Sequence, residues 1–288
     1  MRSDGVAVID KPAGWTSHDV VAKARGVLGT RKVGHSGTLD PEATGVLVLG
    51  VGRATRLLRY VTELPKSYEA EIVLGVETDT LDSAGRVTAR HDMVEVSAEQ
   101  AQEAAAALTG EILQIPPMVS AVKVGGRRLH TLARAGVEVE REARPVIVHR
   151  FDVAPVPGTG AVLRAEVDCS SGTYVRVLAA DLGRALGGGA HLRNLRRTAV
   201  GSFGLTCARS VEAAEVLPMA HAVKHLAGVR VGAEVAAEVA HGRVLDIERL
   251  GATGEGPWAV HDTEGGLLAV YERFHTGAKP AVVVAAAS

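Results

Sequence analysis

The chain has 288 residues, 47% of them apolar and with a net charge of −1, which suits one large globular domain plus a small one and excludes intrinsic disorder. Cys169 and Cys207 lie too far apart for a zinc motif or a disulfide framework, and a reducing cytoplasm suits them. No apolar run approaches the roughly 20 residues that span a bilayer and no apolar segment follows a basic N-terminus, so a soluble cytoplasmic protein is expected.

Gly5–Asp10 reads as an opening strand, ended by the turn Lys11-Pro12-Ala13-Gly14. Thr16 or Ser17 caps a helix in which Val20, Val21, Ala24, Val27 and Leu28 recur at helical spacing, with Gly29 as its stop. Lys32–Gly45 is a loop with three glycines, Gly34, Gly37 and Gly45. Pro41 fixes its own φ and pushes Asp40 toward an extended conformation, so a carboxylate is presented just ahead of the apolar strand Val46–Leu49. Taken alone, Asp40-Pro41 reads first as an ordinary turn; the flanking glycines, with His35 and Thr38, favour a site. Arg53, Arg56 and Arg59 then fall three apart on a short helix whose other face carries Leu57, Leu58 and Val61. Lys66–Gly75 alternates as a strand, with Tyr68, Ala70, Ile72 and Leu74 on one face. Glu77–Asp82 is the densest acidic patch, but Asp79, Asp82, Ser83 and Gly85 read as turn formers before a strand at Arg86–Ala89, and no metal is expected. Ser97 and Gln100 form a capping box that opens an alanine-rich helix closed by Gly110.

Met118–His130 reads as a strand, a glycine turn and the start of a helix. A basic segment begins here. Ala161–Cys169 is an alternating strand running into a helix that carries Val177, Leu178 and Leu182. Arg176 sits in the first turn of that helix, where positive charge is disfavoured, so a carboxylate partner is expected; Asp40 is the candidate and simple solvation the alternative. After Gly187-Gly188-Gly189, the stretch Ala190–Arg197 adds His191, Arg193, Arg196 and Arg197 around Leu192 and Leu195. From residue 217 the short strands Val229–Gly232, Gly256–Val260, Leu267–Tyr271 and Ala281–Val284 describe a small β-rich C-terminal domain, dividing the chain into residues 1–217 and 218–288.

Charge is unevenly spread. Residues 1–111 carry 12 Lys/Arg against 16 Asp/Glu, residues 112–211 carry 14 against 7, and residues 212–288 carry 6 against 10. A basic centre between acidic flanks is able to bind a polyanion, although an ordinary solvated surface has the same counts. Arg53, Arg56, Lys123, Arg127, Arg128, Arg134, Arg144, Arg193, Arg196 and Arg197 are the candidate contacts to a polyanion's phosphate backbone.

Gly34-His35-Ser36-Gly37-Thr38-Leu39-Asp40-Pro41-Glu42-Ala43-Thr44-Gly45 resembles the active-site motif of the bacterial tRNA pseudouridine synthase B (TruB) family. The resemblance extends through Asp10-Lys11-Pro12, Lys66-Ser67-Tyr68, Thr78-Asp79-Thr80, Ile115-Pro116-Pro117, Arg144-Pro145 and Gly172-Thr173-Tyr174-Val175-Arg176. It implies an α+β pseudouridine synthase fold, a mixed and largely antiparallel central sheet flanked by helices, followed by a PUA-like or TruB C-terminal domain. It implies isomerisation of uridine 55 in the T loop of tRNA, with no cofactor and no metal, by a monomer that needs no obligate protein partner. Asp40 is then the nucleophile, attacking either the base or the ribose, and Arg176 its partner, expected to keep it ionised by lowering its pKa. Tyr68 stacks on the extruded uracil and stands where it assists removal of the C5 proton, Tyr174 and Leu195 complete the pocket, and His35 fills the place the base leaves. Lys11 is carried over as a substrate-binding residue. Two rivals stay open: a catalytically silent RNA-folding module and a guide-RNA-dependent relative. The intact Asp40 motif disfavours the first, and the lack of long basic tails the second.

Overall fold

The computed structural model describes residues 4–93, 96–120, 123–124, 126–128, 137 and 139–285. The first half runs β1 (Gly5–Lys11), α1 (Ser17–Val27), β2 (Val33–Ser36), β3 (Thr44–Val51), a 3-10 turn at Gly52–Leu57, α2 (Leu58–Thr62), β4 (Lys66–Leu74), β5 (Val76–Thr78), β6 (Val87–Arg90), α3 (Ala98–Ala106) and β7 (Gly110–Gln114). There follow β8 (Lys123–Val124), β9 (Arg127–Arg128), β10 (Arg144–Pro155), β11 (Val162–Cys169), α4 (Val175–Ala185), β12 (Ala190–Val200), β13 (Phe203–Gly204) and β14 (Leu217–Pro218). The C-terminal part holds β15 (Ala227–Arg230), α5 (Ala233–Ala240), β16 (Leu245–Asp246), α6 (Ile247–Leu250), β17 (Trp258–His261), β18 (Leu267–Phe274) and β19 (Gly277–Val283).

Among the described residues, ten strands form one sheet along the path β14-β1-β3-β12-β4-β11-β10-β7, with β2 beside β3 and β13 beside β12. Its pairings are antiparallel except that of β12 with β3, where Arg196 faces Thr44 and Arg197 faces Gly45. β3 is buried on both faces because its apolar run leaves no polar side. Val46 and Val48 pack with Val6, Val8 and Leu57, whereas Leu47 and Leu49 pack with Ile9, Val20 and Val21 of β1 and α1. Each such side chain stabilises the fold by about 2 kcal/mol. α4 lays Val175, Leu178, Ala179 and Leu182, an i, i+3, i+4, i+7 stripe, on Ala70, Ile72, Val167 and Leu192. α1 and α3 start as expected, Thr16 with Asp19 and Ser97 with Gln100 each forming a reciprocal capping box.

A second, five-stranded sheet, β15-β17-β18-β19-β16, makes up the C-terminal part. Trp258 and Tyr271 are wholly buried in its core. Val229, Val239, Leu250 and Val260 pack around them, whereas Leu267, Val270, Val282 and Val284 pack in one cluster with Leu57, Tyr60 and Val61 of the first half.

Three expectations change. Ala190–Arg197, given no element in the sequence, is part of β12, a central strand of the large sheet; its four positive or titratable side chains break the alternation that marks a strand. Arg127–Arg128 is a strand paired with Lys123–Val124, not the start of a helix. Ala233–Ala240, read as part of a strand-and-turn region, is helix α5.

Candidate active site

The loop between β2 and β3 is tied down on its inner side. The Leu39 N–H donates to Ser17 Oγ at 3.0 Å, the Gly14 N–H to the Pro41 carbonyl at 3.0 Å, and the Ala43 N–H to the Asp40 carbonyl at 3.1 Å. Lys11, at the end of β1, is fully buried. Its ammonium donates to the carbonyls of Pro12 (2.9 Å), Trp15 (2.6 Å) and Pro41 (2.9 Å), using all three donors. Lys11 therefore braces the loop from within and has no donor left over for another partner. Burial lowers its pKa from 10.5 to about 8.

Arg176 of α4 rises beneath this loop. Its Nε lies 3.0 Å from Asp40 Oδ2, its Nη2 donates to Asp40 Oδ1 at 3.3 Å, and the carbonyls of Thr80 and Val119 accept at 2.8 and 2.9 Å. The Arg176 side chain is 5% exposed and that of Asp40 38%, so the cation is fixed inside while the carboxylate faces out. Asp82 completes the arrangement, its Oδ2 3.4 Å from Arg176 Nη1. Asp82 does form a turn, accepting from Thr80 Oγ1 at 2.6 Å and from the Ala84 N–H at 3.1 Å. Its second role at Arg176 was not visible in the sequence. Burial pushes the Asp40 carboxyl above its usual 3.8; Arg176 pulls it down as expected, but less than burial raises it.

Asp40 opens on a cavity of about 260 Å³ whose walls include Tyr68, Tyr174, Leu195, Arg176 and Arg197. Three walls are set by local structure. Tyr174 is held by buried Gln114, which accepts from the Tyr174 N–H at 2.9 Å and donates to its carbonyl at 3.3 Å. Leu195 follows Asn194, which has φ +53°, at a bulge where two β12 residues lie between the pairings Arg193–Glu71 and Arg196–Glu69 while β4 has one. Glu71 fixes that bulge, accepting from Arg193 Nε at 2.5 Å and Asn194 Nδ2 at 3.0 Å. Tyr68 lies opposite Arg197. Lys66 is another wall missed in the sequence, its ammonium directed to the Thr62 and Leu64 carbonyls and its pKa lowered by burial to about 8.

His35 stands outside this cavity, on β2 opposite Leu49. Its ring meets that of His18 edge-on at 5.4 Å, its Nδ1 is buried without a hydrogen-bond partner, and burial lowers its pKa to about 4. Among the described residues, no three His, Cys, Asp or Glu cluster as a metal site, and no helix is long and apolar enough to cross a membrane.

The proposed RNA contacts divide. Arg197 is 1% exposed and donates to the Val46 and Gly37 carbonyls, so it is an internal brace and not a phosphate contact. Arg53 and Arg56 are exposed, yet Arg53 pairs with Asp4 and donates to the Val284 carbonyl at 2.6 Å, and Arg56 donates to the Val283 carbonyl at 2.7 Å. These two fasten the C-terminal sheet. Arg193 is held by Glu71 and Arg196 by Asp10, at 2.7 Å. Arg144 is exposed at the start of β10. The side chains of Lys123, Arg127 and Arg128, and the whole of Arg134, lie outside the described residues.

The family profile described as "TruB family pseudouridylate synthase (N terminal domain)" matches residues 25–175. The chain belongs to the TruB family. A second TruB profile, "tRNA pseudouridylate synthase B C-terminal domain", matches residues 176–229. Proteins named tRNA pseudouridine synthase B from Arthrobacter sp. (strain FB24) and Thermobifida fusca are each 47% identical over 98% of this chain, and over 96% and 99% of their own lengths. Among solved structures, a Cbf5-Nop10-Gar1 complex contains a chain with a TM-score of 0.77 at 26% identity, covering 98% of this chain and 85% of that one. An H/ACA RNP bound to a substrate RNA contains another at 0.75 and 24%, covering 99% and 86%, a likeness of fold. The two TruB profiles meet between Val175 and Arg176, inside α4, so their border cuts a helix that the site needs whole.

Proposed function

We propose that this TruB-family protein isomerises uridine 55 in the T loop of tRNA to pseudouridine, with Asp40 as nucleophile and the target base extruded into the cavity. The observation that carries this reading is the grip of buried Arg176 on both oxygens of Asp40, at the mouth of a cavity walled by Tyr68, Tyr174 and Leu195. The reaction breaks the bond between C1′ and N1, turns the uracil and joins C5 to C1′; a proton leaves C5 and one is taken up at N1. No redox change or group donor is involved. Asp40 attacks either C1′ or the base, and Arg176 stabilises it in its ionised form against the opposing effect of burial. Extrusion costs a few kcal/mol of unstacking, which contacts with Tyr68 and Leu195 offset. His35, outside the cavity on the neighbouring strand, is the residue proposed to occupy the vacated space.

The names and nearly complete coverage of the 47% identical relatives support tRNA as substrate. We further propose residues 1–217 as the catalytic unit and 218–288 as the C-terminal unit; the last strand of the large sheet in chain order is Leu217–Pro218 and the five-stranded sheet begins at Ala227, which supports a division near this point.

The test is tritium release from unmodified tRNA labelled with [5-³H]uridine, using the purified chain and its Asp40→Asn variant without cofactor, metal or guide. Release by the wild type, mapped to position 55, with none from a variant that still binds tRNA, is expected. Substantial turnover by Asp40→Asn overturns the nucleophile, and no release by either with binding intact favours an RNA-folding module or a guide-dependent enzyme.

A further inference from the structure

Lys66 opens β4 two residues before Tyr68, so both side chains leave the strand on one face, and both line the cavity. Lys66 is 6% exposed. Its ammonium donates to the Thr62 carbonyl and, at 2.6 Å, to the Leu64 carbonyl; among the described residues its third N–H has no acceptor and no carboxylate forms an ion pair with it. Lys11, also buried, has all three donors taken. A Cβ at Gly37 would lie 4.0 Å from Lys66 Cε and 3.4 Å from Arg197 Nη1, so both cations run beneath the loop that carries Asp40. A buried ammonium with neutral partners and a second cation beside it is costly. A neutral amine would serve the two carbonyls equally well, since it keeps two N–H donors; only positive charge at the cavity wall would be lost.

The isomerisation needs such a charge. If Asp40 attacks C1′, the electrons of the C1′–N1 bond leave with the uracil; if it adds to C6, the C5=C6 electrons move to O4. Either way the base becomes negative, which bound uridine is not. On the first route the charge is lost when C5 bonds to C1′ and the Asp40 carboxylate departs with its electron pair, after which C5 loses its proton and N1 gains one. A fixed cationic donor in a buried wall stabilises this species more than it stabilises neutral uridine.

We propose that Lys66 is a catalytic residue whose third N–H donates to a carbonyl oxygen of the extruded uracil and stabilises the negative charge the base carries between bond breaking and rejoining. This rests on the Asp40 cavity being the place where the target base is held. Lys66 transfers no proton in this role.

The experiment follows single-turnover pseudouridine formation in unmodified tRNA at saturating enzyme for the wild type, Lys66→Met and Lys66→Arg, from about pH 7 to about pH 8.8, alongside tRNA affinity and melting temperature. Lys66→Met is expected to be at least about tenfold slower at pH 7 with affinity within about threefold, and Lys66→Arg, which keeps the charge, to retain more of the rate. Burial and Arg197 lower the Lys66 pKa to about 8, so the wild-type rate should fall toward the alkaline end, and neither variant should show that fall. The charged and titratable groups around Lys66 are Arg197 of β12, Cys169 of β11, Glu63 beyond α2 and Tyr68 of its own strand. Burial pushes the Cys169 thiol up to about 11 and the Tyr68 phenol above 10, outside the range.

A wild-type rate with no alkaline fall overturns the proposal, because a lysine that only braces the end of α2 works as well when neutral. An alkaline fall that persists in Lys66→Met also overturns it and points to Lys11, as does weakened affinity at an unchanged rate, which makes Lys66 an RNA contact. If Lys66→Met does not fold, the profiles of the wild type and Lys66→Arg decide by the same criterion. Asp40→Asn runs in parallel: turnover there removes the cavity as the catalytic site, whereas its inactivity beside a fully active Lys66→Met removes only the role of Lys66.

Discussion

Arg176 holds Asp40 through two nitrogens, Nε at 3.0 Å from Oδ2 and Nη2 at 3.3 Å from Oδ1, and turns a third toward Asp82 at 3.4 Å. A lysine offers a point charge and cannot reproduce this fork. Arg176→Lys is therefore expected to lower the single-turnover rate at least about tenfold while tRNA affinity stays near wild type. Arg144→Ala, at an exposed site away from the cavity, is expected to do the opposite.

Asp40 itself carries a stability cost. Its folded pKa lies above 3.8 because burial disfavours the charged form. The folded protein thus holds this proton more tightly than the unfolded chain, and the associated stability is present below 3.8 and lost as pH rises through the folded value. At neutral pH Asp40→Asn is expected to melt no lower than wild type while inactive. The wild-type rate should fall on the acid side with an apparent pKa above 3.8. Thermal melts and a pH profile of the single-turnover rate check both.

For Lys11 the sign is reversed. Its folded pKa of about 8 lies below the unfolded 10.5, so its contribution is fully present above 10.5 and lost as pH falls through about 8. The urea midpoint of the wild type relative to Lys11→Met is expected to rise between about pH 8 and 10.5. Turnover by Lys11→Met should fall, because the Pro41 carbonyl keeps only the Gly14 N–H of its two donors.

Gly45 permits β12 to run alongside β3. It has φ +100°, and a Cβ there would lie 2.2 Å from the Arg197 carbonyl oxygen, a backbone atom that cannot move aside alone. Gly45→Ala is expected to cost several kcal/mol in urea unfolding and to abolish turnover.

The bulge at Asn194 separates backbone shape from side-chain contact. Asn194→Gly keeps a left-handed conformation accessible, while Asn194→Val penalises it by about 1–3 kcal/mol and turns Leu195 away from the cavity. Single-turnover rates should be near wild type for the glycine variant and clearly reduced for the valine variant.

Much of this geometry was legible in the chain because it left local anomalies. Arg176 is a cation in the first turn of a helix, and Pro41 aims Asp40; each pointed to the other. Thr16 and Ser97 announced their helices through caps that need only neighbours. β12 did not announce itself, since its arginines find buried carbonyls and carboxylates only after distant strands meet. The same holds for Asp82, whose turn is local but whose arginine is not. α5 was missed because Gly232 at its N-cap offers no side-chain hydrogen bond and its alanines and valines fit either structure.

The parallel pairing of β12 with β3 also orders events in time. Arg197 reaches back 160 residues to Gly37 and 151 to Val46, and Arg176 reaches back 136 to Asp40. Contacts so distant in sequence form slowly, and during synthesis the N-terminal strands emerge well before their partner. A nascent chain that displays the whole Asp40 loop therefore lacks the opposite wall of its cavity until β12 has left the ribosome, so a partly made chain has no chamber in which to hold a nucleotide.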